Sequence, residues 1–197
     1  MIKLTIYLHS QYDMNKQMYK KEYVTMYEYR FYTTVSTKPA EIKDEEGAVI
    51  GEVQKYYNNF WERAADVLMK GRYIGNYRVY DHSKLKQFHS KRDLNIFKKR
   101  QYYIEYKTEK KHETIHLKDE KALDVGEVTS FTYKGEQYKL EKGVMDKARI
   151  KKNDTIIAEW YSSIKPPFKA YYQIYNQDFE EDNLLFLGLF HTYLHAA

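Results

Sequence analysis

One stretch of the sequence matches a metal centre in its residue types and spacing: His112-Glu-Thr-Ile-His116. On a helix, two histidines four residues apart can share a zinc ion, with the glutamate as the general base of a hydrolase. Here Lys110 and Lys111 precede the motif, and Ile115 and Leu117 alternate with polar residues as in a strand. Residues four apart along a strand are separated by about 13 Å, too far to share one zinc ion. A zinc hydrolase is therefore a remote alternative, and we predict no metal, no cofactor and no catalytic residue.

The second informative feature is a basic stretch from Lys84 to Lys111, with ten lysine and arginine residues against three acidic ones. Its excess of +7 is larger than the net charge of +5 of the whole chain, so the rest of the sequence is slightly acidic. Such a concentration of charge favours an anionic partner. The candidate anion-binding residues are Lys84, Lys86, Lys91, Arg92, Lys98, Lys99 and Arg100.

Three interpretations of the basic stretch are open. In the first, it is a solvated surface without a partner. In the second, it contacts an anionic membrane, where a well-placed lysine or arginine contributes about 1 kcal/mol of binding free energy. The third is nucleic acid, because Tyr102, Tyr103 and Tyr106 interleave with the charges and could stack on bases. Since 22 tyrosines are spread over the whole chain, their presence here is weak evidence. We place membrane lipid first and nucleic acid second, and the sequence identifies no protein partner.

Composition limits the class of protein. A chain of 197 residues fits one domain, and its many tyrosines favour β structure. The absence of cysteine excludes disulfides, thiol catalysis and thiolate zinc sites. The longest apolar run, Leu184 to Phe190, is far shorter than the roughly 20 residues that span a bilayer. The first residues, Met1 to Leu8, alternate as in a strand and do not resemble a secretory signal. We therefore expect a cytoplasmic protein, peripheral at a membrane if lipid is its partner.

An internal repeat predicts β-hairpins. Lys43–Val53 and Lys118–Val128 are identical at six of eleven positions, and Ile150–Trp160 is a looser third copy. Each copy has a charged turn followed by a strand with a small residue, which indicates a close backbone approach. A fourth hairpin is predicted at Tyr133–Glu136. Other predicted strands are Tyr23–Val35, Tyr73–Tyr80, Leu94–Phe97, Tyr102–Tyr106, Thr129–Tyr133, Gln137–Glu141 and Ala170–Tyr175.

Two helices are predicted. The first, Phe60 to Lys70, begins at the cap residue Asn59, ends before Gly71 and has the pattern of an amphipathic surface helix. The second runs from Asp178 to His195, with an apolar arc that covers about 200° of the helical wheel. A helix packed on one sheet face needs about half that arc, so this helix requires apolar surroundings on most sides.

Many short strands and one nearly all-round apolar C-terminal helix resemble the tubby C-terminal-like superfamily, which includes the LURP-one-related and scramblase-like proteins. The residues that carry the resemblance are Asp44–Val53 with its copies and Ile174–Phe190. The resemblance implies a mainly β fold: an antiparallel β-barrel of about twelve strands wrapped around a hydrophobic C-terminal helix, plus one amphipathic surface helix near 60–70. It implies one domain over 1–197, with 1–21 as an N-terminal strand extension and 178–196 as the central helix.

The resemblance also implies a non-enzymatic binding module, since tubby proteins bind phosphoinositide head groups through lysine and arginine on the barrel surface. No motif here matches closely enough to transfer individual lipid-binding residues. We therefore predict a module that engages an anionic membrane phospholipid surface through the basic 84–111 segment. The alternative is a protein-interaction or nucleic-acid-binding scaffold.

Overall fold

Twelve antiparallel strands close into a barrel in which each strand pairs with its neighbours in sequence and β1 pairs with β12. The structure, a computed structural model, describes residues 24–194 except 72, 96, 98, 99, 120–126, 144–146 and 164. The predicted mainly β barrel is confirmed. The strands are β1 Thr25–Arg30, β2 Ala40–Lys43, β3 Val49–Lys55, β4 Tyr77–Asp81, β5 Lys86–Arg92, β6 Gln101–Lys107, β7 His112–Asp119, β8 Glu127–Tyr133, β9 Glu136–Lys142, β10 Ala148–Lys152, β11 Thr155–Ser162 and β12 Lys169–Ile174.

A C-terminal helix fills the barrel. Helix α1 covers Phe60–Leu68; after β12 a 3₁₀ helix, Gln177–Asp182, leads into helix α2, Asn183–Leu194. Every residue from Leu184 to Leu194 is buried, which confirms the prediction of a helix surrounded by strands. The helical segment starts differently from the prediction, because Asn176 caps the 3₁₀ turn and the α-helix begins only at Asn183.

Polar contacts fix α2 at both of its ends. At its start, the buried carboxylate of Asp182 accepts hydrogen bonds from the Tyr133 hydroxyl (2.8 Å) and from Lys134 Nζ (2.5 Å). At its end, His191 Nε2 lies 2.7 Å from the Tyr29 hydroxyl, and the indole N–H of Trp160 donates to the same hydroxyl. Since an indole only donates, the Tyr29 hydroxyl is free to donate to an unprotonated His191.

The predicted hairpins follow their turn chemistry. The β2–β3 turn is held by Asp44 Oδ1, which accepts from the amides of Glu46 and Ala48, and Gly47 supplies a φ of +84°. The β8–β9 and β10–β11 hairpins are also present. A Cβ on Gly51 would lie 2.4 Å from the Tyr80 carbonyl oxygen, so the small residue permits a close backbone approach, as predicted. Most of the second repeat's turn lies outside the described residues.

The central helix gives the barrel two distinct ends. We call the end where α2 begins the entry end; it carries the turns 44–48, 82–85, 108–111, 134–135 and 153–154 and the segment 175–182. The opposite end, where α2 stops, is the exit end; it carries the described residues of the connections 31–39, 56–76, 93–100 and 163–168. This division follows from the antiparallel order, since alternate connections lie at opposite ends.

The predicted strand Leu94–Phe97 is wrong. Residues 93–95 and 97 are not in a strand, and β5 instead ends at Arg92. Side chains of Asp93 and Asn95 accept hydrogen bonds from backbone amides two residues ahead, which turns the chain away from the sheet. The true strand was missed because Phe88 is its only large apolar inward residue, between charged and polar neighbours.

Helix α1 is present as predicted, but its orientation reverses the usual rule that the apolar side of a surface helix faces the core. Its one fully buried residue is Asp66, while Phe60, Trp61, Val67 and Leu68 are exposed. Asp66 Oδ1 accepts from the amides of Tyr73 and Ile74 (2.9 and 2.6 Å). Asp66 Oδ2 accepts from Lys55 Nζ (2.6 Å) and the Tyr57 hydroxyl (2.7 Å). This network turns the acidic side of the helix inward.

Among the described residues, no helix has the length and apolar character needed to cross a lipid bilayer. The predicted strand Met1–Leu8 and the extension 1–21 lie outside the described residues.

Candidate anion-binding site

A groove of about 450 Å³ lies between α1 and the outer surface of β3 and β4, near the exit end. The register places Gln54, Arg78 and His89 side by side across β3, β4 and β5. Their side chains point outward, because the alternate residues of these strands are the buried ones. The groove is lined by Thr37, Gln54, Lys55, Tyr56, Tyr57, Asn59, Phe60, Arg63 and Arg78.

Two arginines from different elements line this groove. Arg63 is contributed by α1, whose start is fixed by Asn59 accepting from the Glu62 amide at 2.8 Å. Arg78 comes from β4, and its guanidinium carbon lies 3.9 Å from the centre of the Tyr56 ring. Arg78 Nε is buried and has no hydrogen-bond partner among the described residues. None of the described lining residues is acidic.

The electrostatics of the neighbouring side chains reflect this positive charge. Burial lowers the pKa of His89, and the charges of Lys86 and Arg78 lower it further. Burial raises the pKa of Tyr56 to about 12; Arg78 opposes that rise, and the carboxylates of Glu62 and Glu105 add to it. The Tyr56 hydroxyl donates to the Ser90 carbonyl (2.9 Å) and lies 2.5 Å from His89 Nε2. The groove therefore has a fixed aromatic wall and two lining arginines, which suits an anionic group such as phosphate.

The structure divides the basic residues predicted from sequence between the two ends of the barrel. Lys84 and Lys86 lie at the entry end, where Lys84 pairs with Glu52. Lys91 and Arg92 end β5 at the exit side. Over the length of β5 the separation is roughly 20 Å, so one small anion cannot contact both groups.

At the exit side the predicted residues differ in role. Arg92 has a structural role. Its guanidinium group donates a hydrogen bond to the Tyr73 carbonyl oxygen, and its backbone amide donates one to Asn76 Oδ1 at 2.8 Å. The Arg100 guanidinium lies 5.1 Å from the centre of the Tyr193 ring, over the end of α2, and Lys91 is exposed. Lys98 and Lys99 lie outside the described residues.

The zinc-protease motif lies on a strand, as predicted from its alternation. His112 and His116 are on β7, where both side chains are exposed and Ile115 is buried. His116 Nε2 lies 2.8 Å from Gln101 Oε1, and its ring stacks on Tyr103 at 4.8 Å. In the described part of the chain, no group of three or more histidine or acidic side chains could hold a metal ion.

The closed barrel around a buried C-terminal helix has a counterpart among known families. The model of the Tubby C-terminal like domain matches residues 27–196. The chain belongs to this family. The match confirms the resemblance drawn from the repeat and the C-terminal segment. No curated protein and no solved structure matches the chain in the corresponding searches.

In this tubby-like barrel, the Arg63–Arg78 groove was missed by sequence reasoning. The two residues are fifteen positions apart and neither lies in the 84–111 segment. Arg63 appears in the sequence as an ordinary charge on the polar side of a surface helix. A weak signal was available in Arg78, since the alternation Tyr77-Arg-Val-Tyr80 places it on the outer side of a strand. Only the reversed orientation of α1 brings the two together.

Proposed function

We propose that this tubby-like barrel is a non-enzymatic binding module whose partner is an anionic membrane phospholipid, bound through the Arg63–Arg78 groove. The observation that carries the proposal is the pair of guanidinium groups lining one groove with no acidic residue among its described lining residues. Membership of the tubby-like family supports the same class of function.

The chemistry of the groove suits a phosphate group. Guanidinium groups present a planar set of N–H donors that matches phosphate oxygens in two-point hydrogen bonds. The Tyr56 ring holds the Arg78 guanidinium from one side, so little side-chain entropy is lost on binding. The groove volume of about 450 Å³ lies in the range of small-ligand sites.

The basic 84–111 segment has a secondary role in this proposal. Lys91 near the end of β5 and Arg100 in the connection that follows it lie on the exit side and add attraction to an anionic surface. Lys84 and Lys86 lie at the opposite end and are not expected to touch the same surface. The proposed setting is the cytoplasm, peripheral at a membrane, which a chain without cysteine suits.

Co-sedimentation with vesicles tests the proposal. The protein should bind phosphatidylcholine vesicles that contain phosphatidylserine and not vesicles of phosphatidylcholine alone. The double variant Arg63→Gln/Arg78→Gln should bind at least about tenfold more weakly, equivalent to about 1.4 kcal/mol. The matched control, Lys84→Gln/Lys86→Gln, removes the same charge from the entry end and should bind as the unmodified protein does.

Equal losses in the two double variants would mean that binding depends on net charge and not on the groove. Failure of the unmodified protein to bind anionic vesicles at low salt would reject the proposal. A single-stranded oligonucleotide added as competitor covers the alternative partner, and tight binding to it in preference to vesicles would reassign the site to nucleic acid.

A further inference from the structure

Helix α1 presents a bare apolar surface to solvent. Phe60, Trp61 and Leu68 are 73%, 78% and 82% exposed, and Val67 and Met69 are exposed beside them. Side chains of this kind rarely stay in water when a helix has an inner side available. Here the inner side is taken by the buried Asp66 network, so the fold holds the apolar side outward.

The other exposed phenylalanine side chains lie at the same end of the barrel, whereas Val49 and Leu85 are exposed at the entry end. Among the described residues, all exposed phenylalanine and tryptophan side chains are in exit-end connections: Phe60 and Trp61 on α1, Phe97 after β5 and Phe168 before β12. Phe97 is 93% exposed. In the closed strand order, the connections that carry Phe97 and Phe168 lie on either side of α1 around the rim. Because these apolar side chains are spread over three separate connections, they are better placed to contact a broad surface than to bind a single peptide.

The two ends of the barrel also differ in charge. The described residues of the four exit-end connections 31–39, 56–76, 93–100 and 163–168 include five basic and three acidic ones, and one of those acids is Asp66, buried against Lys55. The entry-end turns and the 175–182 segment contain nine acidic residues and four basic ones. An anionic surface would therefore attract the exit end and repel the entry end. A symmetric dimer through the exit ends would instead bring two basic surfaces face to face.

We infer that the exit end docks on the interface of an anionic bilayer, with Trp61 and Leu68 of α1, and Phe97 and Phe168 beside it, inserted among the lipid headgroups. The inference rests on the proposed function, because Arg63 is on the same helix and would then meet the plane of lipid phosphates. Amphipathic helices that bind membranes place tryptophan and leucine at this depth and basic residues around them.

Tryptophan emission tests the insertion directly. The chain has two tryptophans, and Trp160 is buried in the core, so a change caused by a surface event comes from Trp61. Vesicles of phosphatidylcholine with phosphatidylserine should shift the emission to shorter wavelength, and lipids brominated on their acyl chains should quench it. Trp61→Phe should abolish both effects, which assigns them to Trp61.

A pair of leucines supplies a matched control. Leu68→Ser removes an exposed leucine from the exit end, and Leu85→Ser removes one that is 57% exposed at the entry end. Leu68→Ser should weaken vesicle binding by about tenfold, equivalent to about 1.4 kcal/mol, and Leu85→Ser should leave it unchanged.

The outcomes separate the inference from the proposed function. Vesicle binding without a Trp61 shift, and equal affinities for Leu68→Ser and Leu85→Ser, would overturn the insertion and leave lipid binding intact. Absence of any binding to anionic vesicles would overturn both. If sedimentation instead shows a dimer that Leu68→Ser dissociates, while Trp61 does not respond to vesicles, a second copy covers this surface and the inference is wrong.

Discussion

Replacing Asp66 by asparagine should strongly destabilise the protein although the two side chains have nearly the same shape. The asparagine oxygen can still accept from the amides of Tyr73 and Ile74, but its NH₂ group then faces the Lys55 ammonium and the Tyr57 hydroxyl, which are both donors. Lys55 has only 2% of its side chain exposed and cannot recover its hydration without moving. The variant therefore leaves a buried charge without its counter-charge.

The expected cost follows from the burial of both partners. Removing one partner of a buried ion pair typically costs about 3–5 kcal/mol. Lys55 keeps hydrogen bonds to the carbonyl oxygens of Thr34 (2.7 Å) and Gly71 (3.2 Å), so we expect the lower part of that range. With a urea dependence of about 2 kcal/mol/M, a loss of about 3 kcal/mol lowers the unfolding midpoint by about 1.5 M.

Urea unfolding followed by circular dichroism measures this shift. Asp154→Asn is the matched control, because Asp154 is exposed in the β10–β11 turn with a φ of +62° that asparagine also tolerates. Its free energy of unfolding should change by less than about 0.5 kcal/mol. The double variant Lys55→Met/Asp66→Asn should lose less than the sum of the two single variants. A loss below about 1 kcal/mol in Asp66→Asn, or strict additivity, would refute the view that this pair holds α1 in its reversed orientation.

Two further predictions concern the central helix. Burial lowers the pKa of His191 to about 3 from 6.5. Below pH 6.5, His191 therefore binds a proton in the unfolded chain but stays unprotonated in the folded protein. Stability should then fall with decreasing pH, and His191→Gln should flatten that fall by up to about 1.4 kcal/mol per pH unit; parallel urea midpoints for the two proteins between pH 6.5 and about 5 would contradict it. Gly188→Ala should cost about 1–3 kcal/mol by overpacking, because its Cβ would lie 2.6 Å from the buried Phe88 ring. Thermal unfolding measures the loss, and Phe88→Leu in the same chain should recover part of it; no recovery would place the cause elsewhere.

The barrel could be predicted because its signals are local and repeated. The turn at Asp44–Gly47 and its copies specify hairpins, and a helix apolar on nearly every side requires an enclosing sheet. The failures occurred where the local signal is weak. Strand β5 carries Lys86, His89, Lys91 and Arg92, and only its pairing with β4 and β6 makes it a strand.

The candidate site could not be predicted in the same way, because it depends on the orientation of a helix. The amphipathic pattern of α1 predicts its existence but not which side faces inward. That choice is decided by Asp66 meeting Lys55, a residue eleven positions earlier on another element. The basic 84–111 segment was a strong signal of charge, but antiparallel strands carried its members to opposite ends of the barrel.

The difference in charge between the acidic entry end and the basic exit end of the barrel is explained only in part by the stability of the fold. Acidic residues near the start of α2 and a cation such as Arg100 near its end are favourable to the helix dipole, whose effect falls off within about one turn. That effect cannot account for Arg63 or Lys165, which lie on connections away from the helix axis. Entry-end turns are short, two to five residues, whereas the β3–β4 connection at the exit end has 21. Short hairpin turns are fixed by their own geometry, and longer connections are free to carry function. The apolar and basic residues of the exit end therefore occupy the part of this fold that stability constrains least, which is where a binding surface is expected.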